Sequence, residues 1–143
     1  MASKGQMTGM LGVYLTAAEL VKRGFIVSPT SRSALGADLL VTDQHCKKAW
    51  SVQVKTNSSM QSWWHMGRTA TKLASATHVY VFVNVPKSPN RPARFYIVPS
   101  RQVAPSIRKT RTRGYAYDRN ESHRDKWKKV FGDPMGSVPA KAN

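Results

Sequence analysis

Two β-forming runs, 37–42 and 49–56, flank the polar stretch Asp43-Gln44-His45-Cys46-Lys47-Lys48, and their alternation constrains the fold more than any other feature. An antiparallel hairpin that turns between His45 and Cys46 sets Leu39 opposite Val52, Val41 opposite Trp50 and Ala37 opposite Val54. That side is wholly apolar and belongs to the core. The other side sets Asp38 opposite Gln53, with Lys55 two residues further on. Side chains alternate with period two along a strand, so these three polar groups share one face. A one-residue slip would mix the two sets, and the pattern therefore supports the register.

The rest of the chain is arranged around this hairpin. Residues 7–23 read as a helix, with Leu11, Tyr14, Leu15, Ala18 and Val21 at helical spacing, Val13, Ala17 and Leu20 widening the buried arc, and a narrow polar arc of Thr16, Glu19 and Arg23. Gly24 stops it, a short strand follows at 25–27, and 29–33 is loop by composition. Residues 60–75 read as a second helix with Trp63, Trp64, Met66, Ala70, Leu73 and Ala74 as its apolar members. The nearly continuous apolar run 78–85 is typical of a central strand, and 94–98 is another strand. A short helix over 100–103 with Ser100 as N-cap, a basic loop over 106–114 and a last helix over 124–131 complete the reading. The order is α-β-β-β-α-β-β followed by short helices. That is an α/β class with a mixed sheet flanked by helices.

At 143 residues, with 41% hydrophobic content, the chain has enough for one core and not for two. The expected organisation is a single domain over 1–131, basic over 100–131, with a frayed tail over 132–143. Twenty-three basic against seven acidic side chains give a formal charge of +16, which points to a polyanionic partner. No apolar run approaches the ~18 residues that a membrane span needs. The first residues contain no apolar signal segment, and the one cysteine, Cys46, has no partner for a disulfide or a zinc site. A reducing, cytoplasmic setting is the expectation. The four histidines lack metal-ligand spacing, and neither a Gly-rich phosphate loop nor a Ser-His-Asp order is present.

A carboxylate, an amide and an ammonium on one sheet face suit phosphodiester hydrolysis. Asp38 can hold a hard divalent cation, and the Gln53 amide oxygen and a backbone carbonyl can add oxygen ligands. Lys55 can orient an attacking water or neutralise charge on phosphate oxygens. The competing readings are an Asp38 that caps a backbone amide beside a turn and a Lys55 that is a solvated strand-end lysine. Trp63, Trp64 and His65 read either as a stacking platform for unpaired bases or as core with one exposed ring. Arg108, Lys109, Arg111 and Arg113, and further on Lys128 and Lys129, read as phosphate contacts, against the alternative of a solvated loop.

The succession of a helix, G-A-D-L-L-V at 36–41 and Q-V-K at 53–55 resembles the PD-(D/E)xK nuclease superfamily, which includes restriction enzymes, Holliday-junction resolvases and small intron homing endonucleases. The resemblance covers residues 7–85. It implies a restriction-endonuclease-like fold, DNA as partner, Mg²⁺ or Mn²⁺ as cofactor and metal-dependent endonuclease activity. Asp38 matches the metal-binding aspartate, Gln53 stands where a second acidic ligand is usual, and Lys55 matches the catalytic lysine. The superfamily's first helix usually carries a glutamate after a glycine. Here that position is Val13, in Gly12-Val13-Tyr14. Glu19 follows six residues later, a net ~120° around the helix axis, and reads as a partner of Lys22 or Arg23 instead. With one sure carboxylate, a bound Mg²⁺ is expected to be weak until DNA phosphates join it. Two functions stay open: an endonuclease, impaired or not by the missing glutamate, and a non-catalytic nucleic-acid-binding protein on the same scaffold. Duplex cleavage needs two sites, so a homodimer is a further expectation.

Overall fold

The computed structural model describes residues 1–31 and 36–136. The end of the loop expected at 29–33 and the last part of the tail expected at 132–143 therefore lie outside the described residues. Helix α1 (Lys4–Lys22) begins at a capping box, in which Ser3 and Gln6 each satisfy the other's backbone N–H. Strands β1 (Ile26–Pro29), β2 (Leu39–Thr42) and β3 (Ala49–Asn57) form an antiparallel meander. The expected hairpin register is the observed one, with Leu39 opposite Val52 and Val41 opposite Trp50. Between β3 and the next strand of this sheet the expected helix over 60–75 is instead strand β4 (Trp63–Met66) and a 3-10 turn over Arg68–Thr71. Strand β5 (His78–Asn84) then lies parallel to β3, and β6 (Arg94–Pro99) closes a mixed sheet in the order β1-β2-β3-β5-β6.

The expected basic loop over 106–114 is likewise a strand, β7 (Arg108–Thr110), and the turn into β8 (Gly114–Asp118). Strands β4, β8 and β7 make a second, three-stranded antiparallel sheet in that order. The difference at 63–66 has a physical cause. Trp64 and Met66 are buried while Trp63 and His65 face outward, a period of two that a helical count of the same apolar residues also accommodates. Two short helices follow the first sheet and the second, α2 (Ser100–Val103) and α3 (Trp127–Phe131). Pro99 occupies the N-cap of α2, and the Ser100 hydroxyl, expected to cap it, donates to Ser75 O and accepts from Ser75 N at 2.9 Å each.

The five-stranded sheet is thus covered on the α1 side by helices and, at β5 and β6, on its other side by the second sheet. Val52, Val54, Val79, Val81, Phe95 and Ile97 pack toward α1 and α3. Tyr80, Phe82, Tyr96 and Val98 pack toward Trp64, Met66 and Tyr117 of the second sheet. The Trp64 indole N–H donates to Val83 O at 3.1 Å and ties the two layers together. Residues 132–136 are docked, with Gln44 N donating to Pro134 O at 2.7 Å.

The buried face of α1 differs from the expected one. Gly12, Thr16 and Leu20 are buried, whereas Leu11, Tyr14 and Val21 are exposed. Close approach to β3 explains it, because a Cβ on Gly12 would overlap the Thr56 hydroxyl and lie 2.8 Å from Thr56 Cβ. Small and polar residues therefore occupy the closest contact, Val13, Leu15, Ala17 and Leu20 pack beside it, and Leu11, Tyr14 and Val21 are left outside. We expect Gly12→Ala to lose about 1–3 kcal/mol in urea unfolding through overpacking. Gly9→Ala, whose Cβ meets nothing within 4 Å, should gain roughly 0.5–1 kcal/mol from helix propensity. Shifts of the same sign in both variants would contradict this packing.

Candidate active site and nucleic-acid interface

The β2–β3 ladder ends at the Leu39–Val52 pair, and Asp38 takes over beyond it. Its backbone N–H donates to Val52 O at 2.8 Å, and its carboxylate Oδ2 accepts the Val54 N–H at 2.7 Å. The amide-capping role is therefore real and occupies one carboxylate oxygen. Thr30 holds the segment from the other side, donating from its backbone N–H to Asp38 O at 3.0 Å and from its hydroxyl to Ala37 O at 2.5 Å. Thr30 is a positioning residue that sequence reading passes over, since its contacts come from β1 pairing and carry no local signal.

Asp38 and Val54 line an open cleft of about 860 Å³ whose other walls are the N-terminal half of α1, including Met10 and Val13, and Pro29–Ser31. Val13 therefore stands in the same cleft as Asp38. Glu19 does not: it pairs with Lys22 at 3.5 Å and with Arg23 toward the helix C-terminus. Among the described residues no cluster of three His, Cys, Asp or Glu side chains could hold a metal ion.

Gln53 and Lys55 lie beside Tyr80 and Phe82 of β5 in the parallel register. Both are half-buried. Burial pushes the Lys55 ammonium below its ordinary pKa of 10.5, and the Asp38 charge offsets part of that. The two charges do not form a direct ion pair, so Asp38 acts on Lys55 at longer range. On the same strand face the Ser51 hydroxyl meets His78 Nδ1 at 2.6 Å, and burial pushes the His78 pKa below 6.5. Asn57 closes the strand, donating from its amide to Gln61 O and, at 3.2 Å, to Trp63 O.

The donor set is one carboxylate with one oxygen already engaged and one free amide. That set does not make a closed structural metal site. Of the two, Asp38 alone lines the cleft, so a Mg²⁺ ion there would take most of its shell from waters and substrate phosphates.

The basic residues fall into two groups. Arg108 is held by Asp118, with Nε–Oδ2 and Nη2–Oδ1 distances of 2.6 and 3.0 Å. Lys109, Arg111 and Arg113 are exposed on the β7–β8 hairpin. Lys128 and Lys129 are exposed on α3, whose Phe131 packs on Trp50 at the start of β3. Trp64 is core, and Trp63 is the half-buried outward ring, 4.8 Å from His65 between centroids.

The architecture is the restriction-endonuclease-like fold. Two solved structures carry the likeness. The bacterial homing endonuclease I-Ssp6803I superposes with a TM-score of 0.59 at 19% identity, over 92% of this chain and 93% of its own. Hjc, a Holliday junction resolvase from the archaeal hyperthermophile Archaeoglobus fulgidus, does so with a TM-score of 0.54 at 11% identity, over 87% and 96%. No protein-family profile matches the sequence, and no curated protein matches it. At these identities the likeness establishes the fold, and the chemistry has to be argued from the site.

A half-buried lysine without a direct counterion costs stability. We expect Lys55→Met to raise unfolding stability at pH 7 by roughly 0.5–2 kcal/mol, the usual gain when a functional group's strain is relieved. The sign follows from linkage: the lowered pKa penalises the fold wherever the unfolded lysine is protonated, and the penalty fades as pH rises toward 10.5. A Lys55→Met protein that unfolds more easily at pH 7 would show that Lys55 is structural.

Proposed function

We propose that this chain is a metal-dependent DNA endonuclease that hydrolyses phosphodiester bonds with Asp38, Gln53 and Lys55. The observation that carries the reading is the Asp38–Lys55 arrangement. A carboxylate sits where the β2–β3 ladder ends, within electrostatic reach of a half-buried lysine on the neighbouring strand. A fold shared with two DNA endonucleases supports it. Asp38 and Gln53 would hold Mg²⁺ or Mn²⁺, which when bound supplies charge stabilisation at the scissile phosphate. Lys55 donates hydrogen bonds to the attacking water or the phosphate oxygens, and its lowered pKa brings its proton exchange nearer neutral pH. Thr30 and the Val54 N–H orient the Asp38 segment.

Lys109, Arg111 and Arg113 would contact the backbone of the nucleic acid. A pair of copies would cut both strands of a duplex. No helix of the described residues is long and apolar enough to cross a membrane. The exposed free thiol of Cys46 suits a reducing, cytoplasmic compartment.

Val13 favours a second reading. It puts an apolar side chain on the cleft wall opposite Asp38, where a further carboxylate would strengthen metal binding. On that reading the protein binds nucleic acid on a nuclease scaffold without cutting it.

One experiment separates the two. Supercoiled plasmid and a synthetic four-way junction are incubated at low salt with Mg²⁺ or Mn²⁺, using the parent, Lys55→Ala, Asp38→Ala and Val13→Glu. The nuclease reading predicts cleavage by the parent, reduced at least about 100-fold in Lys55→Ala and Asp38→Ala. Cleavage by Val13→Glu alone would mean a site disabled at one position. Binding by every variant with no cutting by any would establish the binding module on these substrates.

A further inference from the structure

We propose that the outer face of the β4–β8–β7 sheet is a clamp for a nucleic-acid backbone, in which Trp63 holds the Arg113 guanidinium ready for a phosphate. The proposal rests on the nucleic-acid reading above and assigns it a place on the molecule. It also gives Trp63 the role of a positioning residue.

Three observations build the clamp. First, the Arg113 guanidinium lies over the Trp63 ring, 5.2 Å from its centroid. A guanidinium held over a ring face by cation–π attraction spends none of its N–H donors on an ion partner and so keeps them for a phosphate. His65 packs against the same indole at an interplanar angle of 77°, which fixes the ring. Second, the turn that carries Arg113 is pinned. The Thr110 hydroxyl donates to Gly114 O at 2.8 Å and accepts the Arg113 N–H at 2.9 Å, and Gly114 adopts φ +75°. Little ordering is then left to be done on binding. Third, Arg108 is neutralised by Asp118 on the same sheet, whereas Lys109, Arg111 and Arg113 form no ion pair among the described residues. The free positive charge of this sheet is therefore gathered toward the hairpin turn.

The clamp is also in the right place. Asn57, two residues beyond Lys55, donates to Trp63 O at 3.2 Å, so the start of β4 is tied to the end of β3 that carries Lys55. Lys128 and Lys129 belong elsewhere. Their helix packs on Trp50, seven residues back along β3, which is roughly 23 Å at the usual rise per residue. The clamp is thus joined to the end of β3 that carries Lys55, whereas α3 packs at the other end of that strand.

The test is the salt dependence of binding to a fluorescein-labelled DNA duplex, followed by anisotropy, for the parent, Arg113→Lys, Arg113→Ala, Trp63→Ala and the Lys128→Ala/Lys129→Ala double variant. Removing one cation from a phosphate lowers the slope of log K against log salt by about 0.9. The clamp predicts that reduction in Arg113→Ala. It predicts a several-fold weaker complex in Trp63→Ala, although the charge is unchanged. Arg113→Lys, which keeps the charge but loses the planar guanidinium over Trp63, should keep the parent's salt slope and bind several-fold more weakly, as Trp63→Ala does. The double variant should weaken binding less than Arg113→Ala does, despite removing two charges. An Arg113→Lys protein that binds like the parent would overturn the clamp and leave bare charge as the cause. A double variant weaker than Arg113→Ala would move the interface to α3. A parent that fails to bind DNA even at low salt would remove the nucleic-acid reading itself.

Discussion

The parallel pairing of β3 with β5 is the constraint on which the rest of the molecule depends. It joins Ser51–Asn57 to His78–Asn84 in the middle of a sheet that helices cover on the α1 side and that the second sheet covers, at β5 and β6, on the other. A central strand of this kind ordinarily reads as a continuous apolar run, and β5 does. Strand β3 instead alternates, with Val52 and Val54 on the α1 side and Gln53 and Lys55 on the other. The alternation places an amide and an ammonium, both half-buried, beside Tyr80 and Phe82. Their presence there costs hydration free energy, which the packing on the other side of the strand has to offset. Such an arrangement is what a catalytic group needs and what a purely structural strand avoids.

The hairpin and its register were legible because both strands alternate apolar with polar residues, so only one pairing keeps Leu39, Val41, Val52 and Val54 together. The Asp38 and Lys55 neighbourhood follows from that pairing. Three features were illegible for separate reasons. Helix α1 buries Gly12 and Thr16 because its backbone approaches β3 closely, and a count of large apolar residues points to the wrong face. Trp63 to Met66 carries apolar residues that fit either period, and only its pairing with Tyr115 to Asp118, some fifty residues away, makes it a strand. The hairpin at 108–118 begins with Arg, Lys and Thr, which show no apolar alternation at all. Non-local pairing of that kind leaves little trace in local sequence.

Fold and site carry different parts of the functional argument. The fold is shared with a homing endonuclease and a junction resolvase at low identity, and a fold of this type does not dictate a reaction. The proposed chemistry rests on one carboxylate, one amide and one lysine, and Val13 adds no charge to the cleft that Asp38 lines. Under the proposed function such a donor set would make metal and substrate interdependent, because phosphate oxygens would have to complete the shell. The second sheet then gains a purpose beyond covering the core: its inner face packs on Tyr80, Phe82 and Tyr96, and its outer face presents Trp63 and the basic turn.

The central claim is that Lys55 is partly desolvated and that the Asp38 charge acts on it across the two strands. Its most direct test is the Lys55 pKa, followed by NMR of the side-chain ammonium in the parent and in Asp38→Asn. Burial should place the parent value below 10.5, and removal of the Asp38 charge should lower it further. A parent value at or above 10.5, or one indifferent to Asp38→Asn, would contradict the account.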